Sequence, residues 1–125
     1  MIVPVADHDR AIEFYVDTLG FEKRADFRYG ENDRWVEVAP PGATTTIALA
    51  QDHASTGIET RLALSSDDLE ADHADLQARG VDVDEAIMRE GDPVVHWGGA
   101  ALAGVPPMFL ARDPDGNSLL IVQQV

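Results

Sequence analysis

The histidines and the absence of cysteine limit the chemistry that this chain can perform. Without a thiol, disulfides, thiolate metal sites and a cysteine nucleophile are excluded. The four histidines have no metal-binding spacing, because neither HxH nor HExxH occurs, and His8 is expected to be solvated at a helix start. His53 and His96 fall in predicted loops, and His96 is the best candidate for a general base if the chain is an enzyme. A metal site that adds Glu37 or Glu59 to these two histidines is an alternative that the pattern leaves open.

Arg61 is the single charged residue that most strongly suggests ligand binding. It lies on a predicted strand with Leu62 and Leu64, and strict alternation would place its guanidinium on the face opposite to theirs. There it could receive a carboxylate, a phenolate or a carbonyl oxygen. The alternative is that Arg61 forms an internal ion pair with Glu37 or Glu59.

An aromatic ring and an acid are paired on another predicted strand. Trp35 and Glu37 are two residues apart, so their side chains share one face. If that face lines a cavity, an indole and a carboxylate lie side by side and suit a planar or cationic ligand. If it is the outer face, Trp35 belongs instead to a subunit interface. Trp97 and Met108 are expected to be apolar lining of the same cavity, or simply core.

The composition is that of an ordinary globular domain with an acidic surface. The 125 residues suffice for one domain with a real core. The chain has 23 acidic and 9 basic residues, so its formal charge is −14. This charge disfavours binding to nucleic acid and to anionic membranes. This charge tolerates cationic ligands, although dispersed surface acids that keep the protein soluble explain it better. No apolar run could span a bilayer and no leader is visible, so a cytoplasmic protein is expected.

Turns, caps and apolar runs predict one strand, one helix and three strands, and the same series then repeats. The predicted strands cover 2–5, 21–29, 34–39 and 44–50 in the first half, and 58–65, 81–88, 108–111 and 119–122 in the second. The first helix is capped by Asp7 and ends at Gly20, and the second is capped by Asp67 and ends at Gly80. The two helices are therefore of equal length and 60 residues apart, which indicates an internal repeat.

The two halves differ in one segment. The stretch from Gly80 to Leu119 exceeds the stretch from Gly20 to Ile47 by 12 residues. The additional residues fall within 90–107, a segment rich in glycine and proline. Functional loops are often segments of this kind, so this insertion is predicted to contribute to a binding site.

Two segments, one near each end of the chain, resemble a known superfamily. They read Asp7-x-x-Arg10-Ala11-Ile12-x-Phe14-Tyr15-x-x-x-Leu19-Gly20-Phe21 and Arg112-Asp113-Pro114-Asp115-Gly116-Asn117. They are similar to the best-marked segments of the vicinal-oxygen-chelate superfamily, which contains glyoxalases, bleomycin-resistance proteins and extradiol dioxygenases. The resemblance covers nearly the whole chain. It is specific for fold and weak for function, because one fold hosts both enzymes and drug-binding proteins.

The resemblance implies an α+β fold in which two βαβββ modules form a curled mixed sheet around a cleft. It implies a single domain over 1–125, with module 1 at about 1–52, module 2 at about 57–125 and an insertion loop at 90–107. It also implies a homodimer.

The resemblance further indicates which positions would hold a metal ion in metal-dependent relatives. The first ligand would fall just before Met1, where an upstream start could supply it. The other three fall on Ala48, Arg61 and Leu120. Alanine and leucine have no donor atom and arginine is a fixed cation, so these residues cannot bind a divalent cation. No metal and no other cofactor is therefore expected.

Together, the residues and the resemblance predict a metal-free protein that binds a small, largely apolar organic molecule, either cationic or aromatic, for drug sequestration or transport. The predicted ligand-binding residues are Trp35, Glu37, Ala48, Arg61, His96, Trp97, Met108 and Leu120. The alternative is a lyase, isomerase or dioxygenase-type enzyme that has relocated metal ligands or uses metal-free acid–base catalysis. The sequence leaves open whether any reaction is catalysed.

Overall fold

Each of the two sequence repeats forms a four-stranded sheet with one helical segment in the computed structural model, which describes residues 1–125. The first unit comprises Met1–Ile58 and Pro114–Asn117, and the second comprises Glu59–Asp113 and Ser118–Val125. Few helices and mixed sheets confirm the predicted α+β class. No helix of the chain has both the length and the apolar character needed to cross a bilayer.

The first unit has the predicted order of one strand, one helix and three strands. Its elements are β1 (Ile2–Val5), α1 (His8–Ile12) with a wider helical continuation (Glu13–Thr18), β2 (Glu22–Tyr29), β3 (Asp33–Ala39), β4 (Ile47–Gln51) and a single 3-10 turn (His53–Ser55). The sheet order is β1-β4-β3-β2, in which β1 and β4 are parallel and the other neighbours antiparallel.

The second unit repeats this order and adds a hairpin. Its elements are β5 (Glu59–Ser66), α2 (Leu69–Ala78), β6 (Asp82–Val83), β7 (Val95–Trp97), β8 (Ala100–Leu102), β9 (Met108–Arg112) and β10 (Ser118–Gln123). The sheet order β5-β10-β9-β6, with β5 parallel to β10, is the same arrangement as in the first unit. The additional hairpin β7–β8 lies within the insertion, which the sequence had indicated only as an irregular segment.

The start of α1 confirms the predicted cap and corrects the prediction for His8. The Asp7 carboxylate accepts the Asp9 N–H at 2.8 Å and the Arg10 N–H at 3.3 Å. His8 is buried rather than solvated, and its Nε2 lies 2.7 Å from the carbonyl oxygen of Leu49. The reason is that α1 packs against β4, which covers the imidazole.

Two predicted boundaries in the second unit are wrong. The cap of α2 is Asp68 and not Asp67, because the Asp68 side chain accepts the Ala71 N–H. The predicted strand 81–88 contains only the two residues of β6 and one isolated bridge. The strand ends before Asp84. There the Leu110 N–H of β9 donates to the Asp84 carboxylate at 3.1 Å, so its acceptor is a side chain and no longer a backbone carbonyl.

An ion-pair network braces the first unit around Arg34. Its Nε and Nη2 donate to the two carboxylate oxygens of Asp26, both at 2.8 Å, and its Nη1 donates to Asp9 at 2.8 Å. Lys23 adds a further hydrogen bond to Asp26. The hydrogen bond from Arg34, followed by that from Lys23, holds the pKa of the Asp26 carboxyl far below its ordinary value of 3.8.

This network should make stability depend on pH in the acidic range. Because the pKa of Asp26 is lower in the folded state than in the unfolded state, its contribution is complete above about pH 4 and decreases as pH falls toward the folded-state pKa. We expect Asp26→Asn to lower the free energy of unfolding by about 1 kcal/mol at pH 7, and by less at pH 2.5. Urea denaturation at both pH values measures this. Asp17→Asn, at an exposed residue, is the control, and an equal loss from Asp26→Asn at both pH values would contradict the prediction.

Candidate functional site

One face of the first sheet is buried and the other is open. Strand register pairs Ile2 and Glu37 with Ala48, Ala25 with Glu37 and Phe27 with Trp35, so these side chains share a face. We call this set the open face: Ile2, Ala25, Phe27, Trp35, Glu37 and Ala48. The alternate residues on the opposite face include three fully or almost fully buried apolar side chains, Val3, Val36 and Leu49. By contrast, Ile2 is 62% exposed and Phe27 is 54% exposed, whereas Trp35 and Glu37 are half-buried and Ala48, at 8% exposure, is buried at the centre of this face.

A carboxylate is held in place on this apolar face. Glu37 Oε1 accepts the Thr46 hydroxyl at 2.5 Å, and Oε2 accepts the Trp35 indole N–H at 2.8 Å. The hydrogen bond from Thr46, followed by that from Trp35, lowers the pKa of Glu37 below its ordinary value. Glu37 takes part in none of the ion pairs of the chain. The open face therefore offers an ionised, fixed carboxylate beside an indole ring.

The structure brings three of the predicted ligand-binding residues together on the open face. Trp35 and Glu37 share a face, as their spacing predicted, and Ala48 lies directly across from Glu37 on β4. Because this face lies opposite the buried side of the sheet, it is available to a ligand or to a second subunit, and both alternatives stay predictions. Contact of these residues with a ligand stays a prediction.

Three other predicted residues lie in a closed apolar cluster of the second unit. Trp97 and Leu120 are each 6% exposed, and they pack with Met88, Leu102, Met108 and Leu110. The Trp97 indole N–H donates to the Ser118 hydroxyl at 2.7 Å, which fixes the start of the hairpin turn over β10. For Trp97 and Met108 the structure therefore shows core packing, the second of the two expectations. Sequence reasoning could not choose, because the hairpin that carries Trp97 was not recognised.

Arg61 does not follow the regular alternation on which its predicted orientation depended. Ser118 of β10 pairs with Glu59 while Leu120 pairs with Ala63, so β5 contains a bulge around Arg61. Arg61 itself has φ +64°, and it is the only non-glycine residue of the chain with a positive φ. The alternative of an internal ion pair is wrong, because Arg61 lies within ion-pair distance of no carboxylate.

The histidines belong to no cluster that could hold a metal ion. His96 is exposed on β7, where it pairs with Ala101 next to the buried Trp97, and its side chain makes no hydrogen bond. His53 is exposed as well. No three His, Asp or Glu side chains come close enough together to hold a metal ion.

A polar recess in the first unit was not foreseen from the sequence. It has a volume of about 300 Å³ and lies beside the start of α1 and the tip of the β2–β3 hairpin. The residues around it are Ala6, Asp7, His8, Arg28, Asn32, Arg34 and Gln51. Of its charged residues, Arg34 belongs to the ion-pair network and Asp7 caps α1, whereas Arg28 forms no ion pair.

The sequence was compared with models of protein families and with known proteins, and one family model matches it. The family model described as Glyoxalase/Bleomycin resistance protein/Dioxygenase superfamily matches residues 1–121. The uncharacterized protein YetH of Bacillus subtilis (strain 168) is 26% identical over 123 residues, which are 95% of this chain and 91% of that protein.

Solved structures of similar proteins cover the whole chain. TnmS3, an antibiotic-binding protein from Streptomyces sp. CB03234, is 36% identical with a TM-score of 0.72, over 100% of this chain and 93% of its own. A superfamily member from Sphaerobacter thermophilus DSM 20745 is 29% identical with a TM-score of 0.78, over 99% and 94% of the two chains. The resemblance inferred from the two sequence segments is thus confirmed.

Proposed function

Because the chain belongs to the glyoxalase/bleomycin resistance protein/dioxygenase superfamily, we propose that it binds a small, planar, largely apolar organic molecule for sequestration or transport. The observation that carries this proposal is the open face, where the Glu37 carboxylate is fixed between Trp35 and Thr46. The similarity to an antibiotic-binding protein at 36% identity supports the same reading.

The residues of the open face suit a planar ligand with a positive charge or an N–H donor. Trp35 and Phe27 are cross-strand neighbours that present aromatic surface, on which a flat ring system can stack. Apolar burial contributes about 25 cal/mol per Å² before ordering costs. Glu37 keeps its charge because its two hydrogen bonds favour the ionised form, and it can receive a cation next to the indole.

We propose that binding requires no metal ion. The positions that correspond to family ligands, Ala48, Arg61 and Leu120, supply either no donor atom or a positive charge, so these residues do not fit a divalent metal. The proposed binding therefore involves no metal ion. His96 is exposed and without a hydrogen-bond partner, which supports binding over acid–base catalysis. The homodimer implied by the resemblance stays a prediction, with which the exposure of Ile2 and Phe27 is compatible.

The test compares two flat probes of similar shape, cationic proflavine and neutral acridone. We expect the protein to bind proflavine more tightly, because only proflavine carries a positive charge that can pair with the Glu37 carboxylate; acridone offers a neutral N–H donor. Glu37→Gln keeps the size of the side chain and removes its charge, so it should weaken proflavine about tenfold and acridone less than about twofold. Isothermal titration calorimetry measures both affinities.

Glu13→Gln is the matched control, since Glu13 is exposed on the helical segment and its change alters the net charge equally. It should leave both affinities unchanged. The proposal would be abandoned if neither probe bound. The role of Glu37 would be abandoned if Glu13→Gln weakened proflavine as much as Glu37→Gln did.

A further inference from the structure

Arg61 is held in an unfavourable backbone conformation that the surrounding residues maintain. A left-handed φ of +64° costs free energy for any residue other than glycine, and such conformations cluster at functional sites. The bulge in β5 occurs at this residue and directs its side chain away from the regular strand alternation. Glycine would adopt this φ without strain, yet residue 61 is arginine. The strained position therefore carries a long basic side chain.

The guanidinium of Arg61 has no carboxylate partner in a chain that is rich in acids. The protein has 23 acidic residues, and six of its eight arginines form ion pairs with them. Arg61 and Arg28 are the two exceptions. The acid nearest in sequence, Glu59, forms no ion pair with it; one of its carboxylate oxygens, Oε1, accepts the Gly98 N–H at 2.9 Å. Arg61 is thus left with an uncompensated charge and five N–H donors.

A glycine turn, formed by Gly98 and Gly99 between β7 and β8, packs against the arginine. A Cβ atom added to Gly98 would lie 2.9 Å from Arg61 Cγ, and one added to Gly99 would lie 3.6 Å from Nη2. The first distance is too short for a real contact and the second is an ordinary one, so the absence of a side chain at Gly98 leaves the space that the arginine occupies. The hydrogen bonds from Gly98 N to Glu59 and from Trp97 Nε1 to Ser118 hold this turn on the sheet of the second unit.

We propose that Arg61 is an anchor for the anionic group, a carboxylate or a phenolate, of a small aromatic molecule bound at the second unit, and that the glycine turn positions its guanidinium. A guanidinium binds a planar carboxylate through two parallel N–H donors, and an unpaired one needs to break no existing ion pair. This inference rests on the proposed function, since it names a chemical group of the bound molecule. It concerns the second unit alone and is independent of what Glu37 receives in the first.

The experiment uses 2-naphthoate and its neutral counterpart 2-naphthamide, with affinities measured by isothermal titration calorimetry. We expect the protein to prefer naphthoate by on the order of tenfold, despite its net negative charge. Arg61→Gln should remove this preference and change the affinity for naphthamide less than about twofold. Gly98→Ala keeps every charge and displaces the arginine, so it should also weaken naphthoate selectively. Circular dichroism establishes that each variant is folded.

Arg28→Gln is the control, because it removes the same charge from the other unpaired arginine, which lies beside the polar recess of the first unit. It should leave the preference for naphthoate intact. The anchor is refuted, while the proposed function stands, if naphthamide and acridone bind but naphthoate binds no more tightly than naphthamide. It is also refuted if Arg28→Gln abolishes the preference for naphthoate as fully as Arg61→Gln does. If none of these probes binds, the proposed function itself fails and the anchor with it.

Discussion

Replacing Asn117 by alanine should lower the free energy of unfolding by about 3–5 kcal/mol. The Asn117 side chain is completely buried and serves three backbone groups of the first unit. Its Oδ1 accepts the N–H groups of Gly57 at 2.9 Å and Ile58 at 3.1 Å, and its Nδ2 donates to the Pro4 carbonyl at 2.8 Å. Alanine would leave all three groups without their partner; the bond to the Pro4 carbonyl is buried and the bonds from the two N–H groups are part-buried, and each unsatisfied group costs about 1–3 kcal/mol when fully buried.

Urea denaturation monitored by circular dichroism measures the effect of Asn117→Ala. Asn32→Ala is the control, because Asn32 is exposed at the tip of the β2–β3 hairpin, and it should change stability by less than about 0.5 kcal/mol. Asn117→Asp separates the two kinds of hydrogen bond, since it keeps the acceptors, loses the donor to Pro4 and buries a charge. A loss below about 1 kcal/mol for Asn117→Ala would show that water replaces the amide.

Trp97→Ala should destabilise the protein by a similar amount, about 3–5 kcal/mol, through a different mechanism. The indole is the largest side chain of the apolar cluster that covers Leu120, so its removal leaves a cavity there. The variant also leaves the buried Ser118 hydroxyl without its donor at 2.7 Å. Trp97→Phe retains most of the packing and loses the hydrogen bond, and it should cost about 1–2 kcal/mol.

His96→Ala is the matched control for Trp97→Ala, since the two residues are adjacent on β7 and His96 is exposed. It should change the free energy of unfolding by less than about 0.5 kcal/mol. Urea denaturation gives the stability, and fluorescence of the apolar dye ANS reports exposure of the sheet face under the hairpin. If Trp97→Ala and His96→Ala unfold at the same urea concentration, the cluster contributes nothing to stability.

The parts of the fold that the sequence predicted correctly are those set by local chemistry. Asp7 caps α1, and Gly20, Gly80 and Gly116 adopt positive φ values, because each of these roles depends on residues within one turn. The internal repeat followed from the same signals. The common face of Trp35 and Glu37 followed from strand periodicity.

The parts that were missed depend on contacts between residues far apart in sequence. The bulge at Arg61 arises from pairing with β10, about 57 residues later, and no local pattern marks it. The burial of His8 requires β4, and the burial of Trp97 requires a hairpin of two three-residue strands. Glycine at positions 98 and 99 was the one available signal for that turn, since adjacent glycines favour tight turns.

The assignment of Pro114–Asn117 to the first unit has a consequence for biosynthesis. Pro4, Gly57 and Ile58 are made early, yet the Pro4 carbonyl and the N–H groups of Gly57 and Ile58 obtain their partner only from Asn117. The first repeat therefore cannot reach its final stability during translation, while the second is still being added on the ribosome. It completes these hydrogen bonds only after Asn117 emerges, although its sequence order is that of a module that could fold before the second is made.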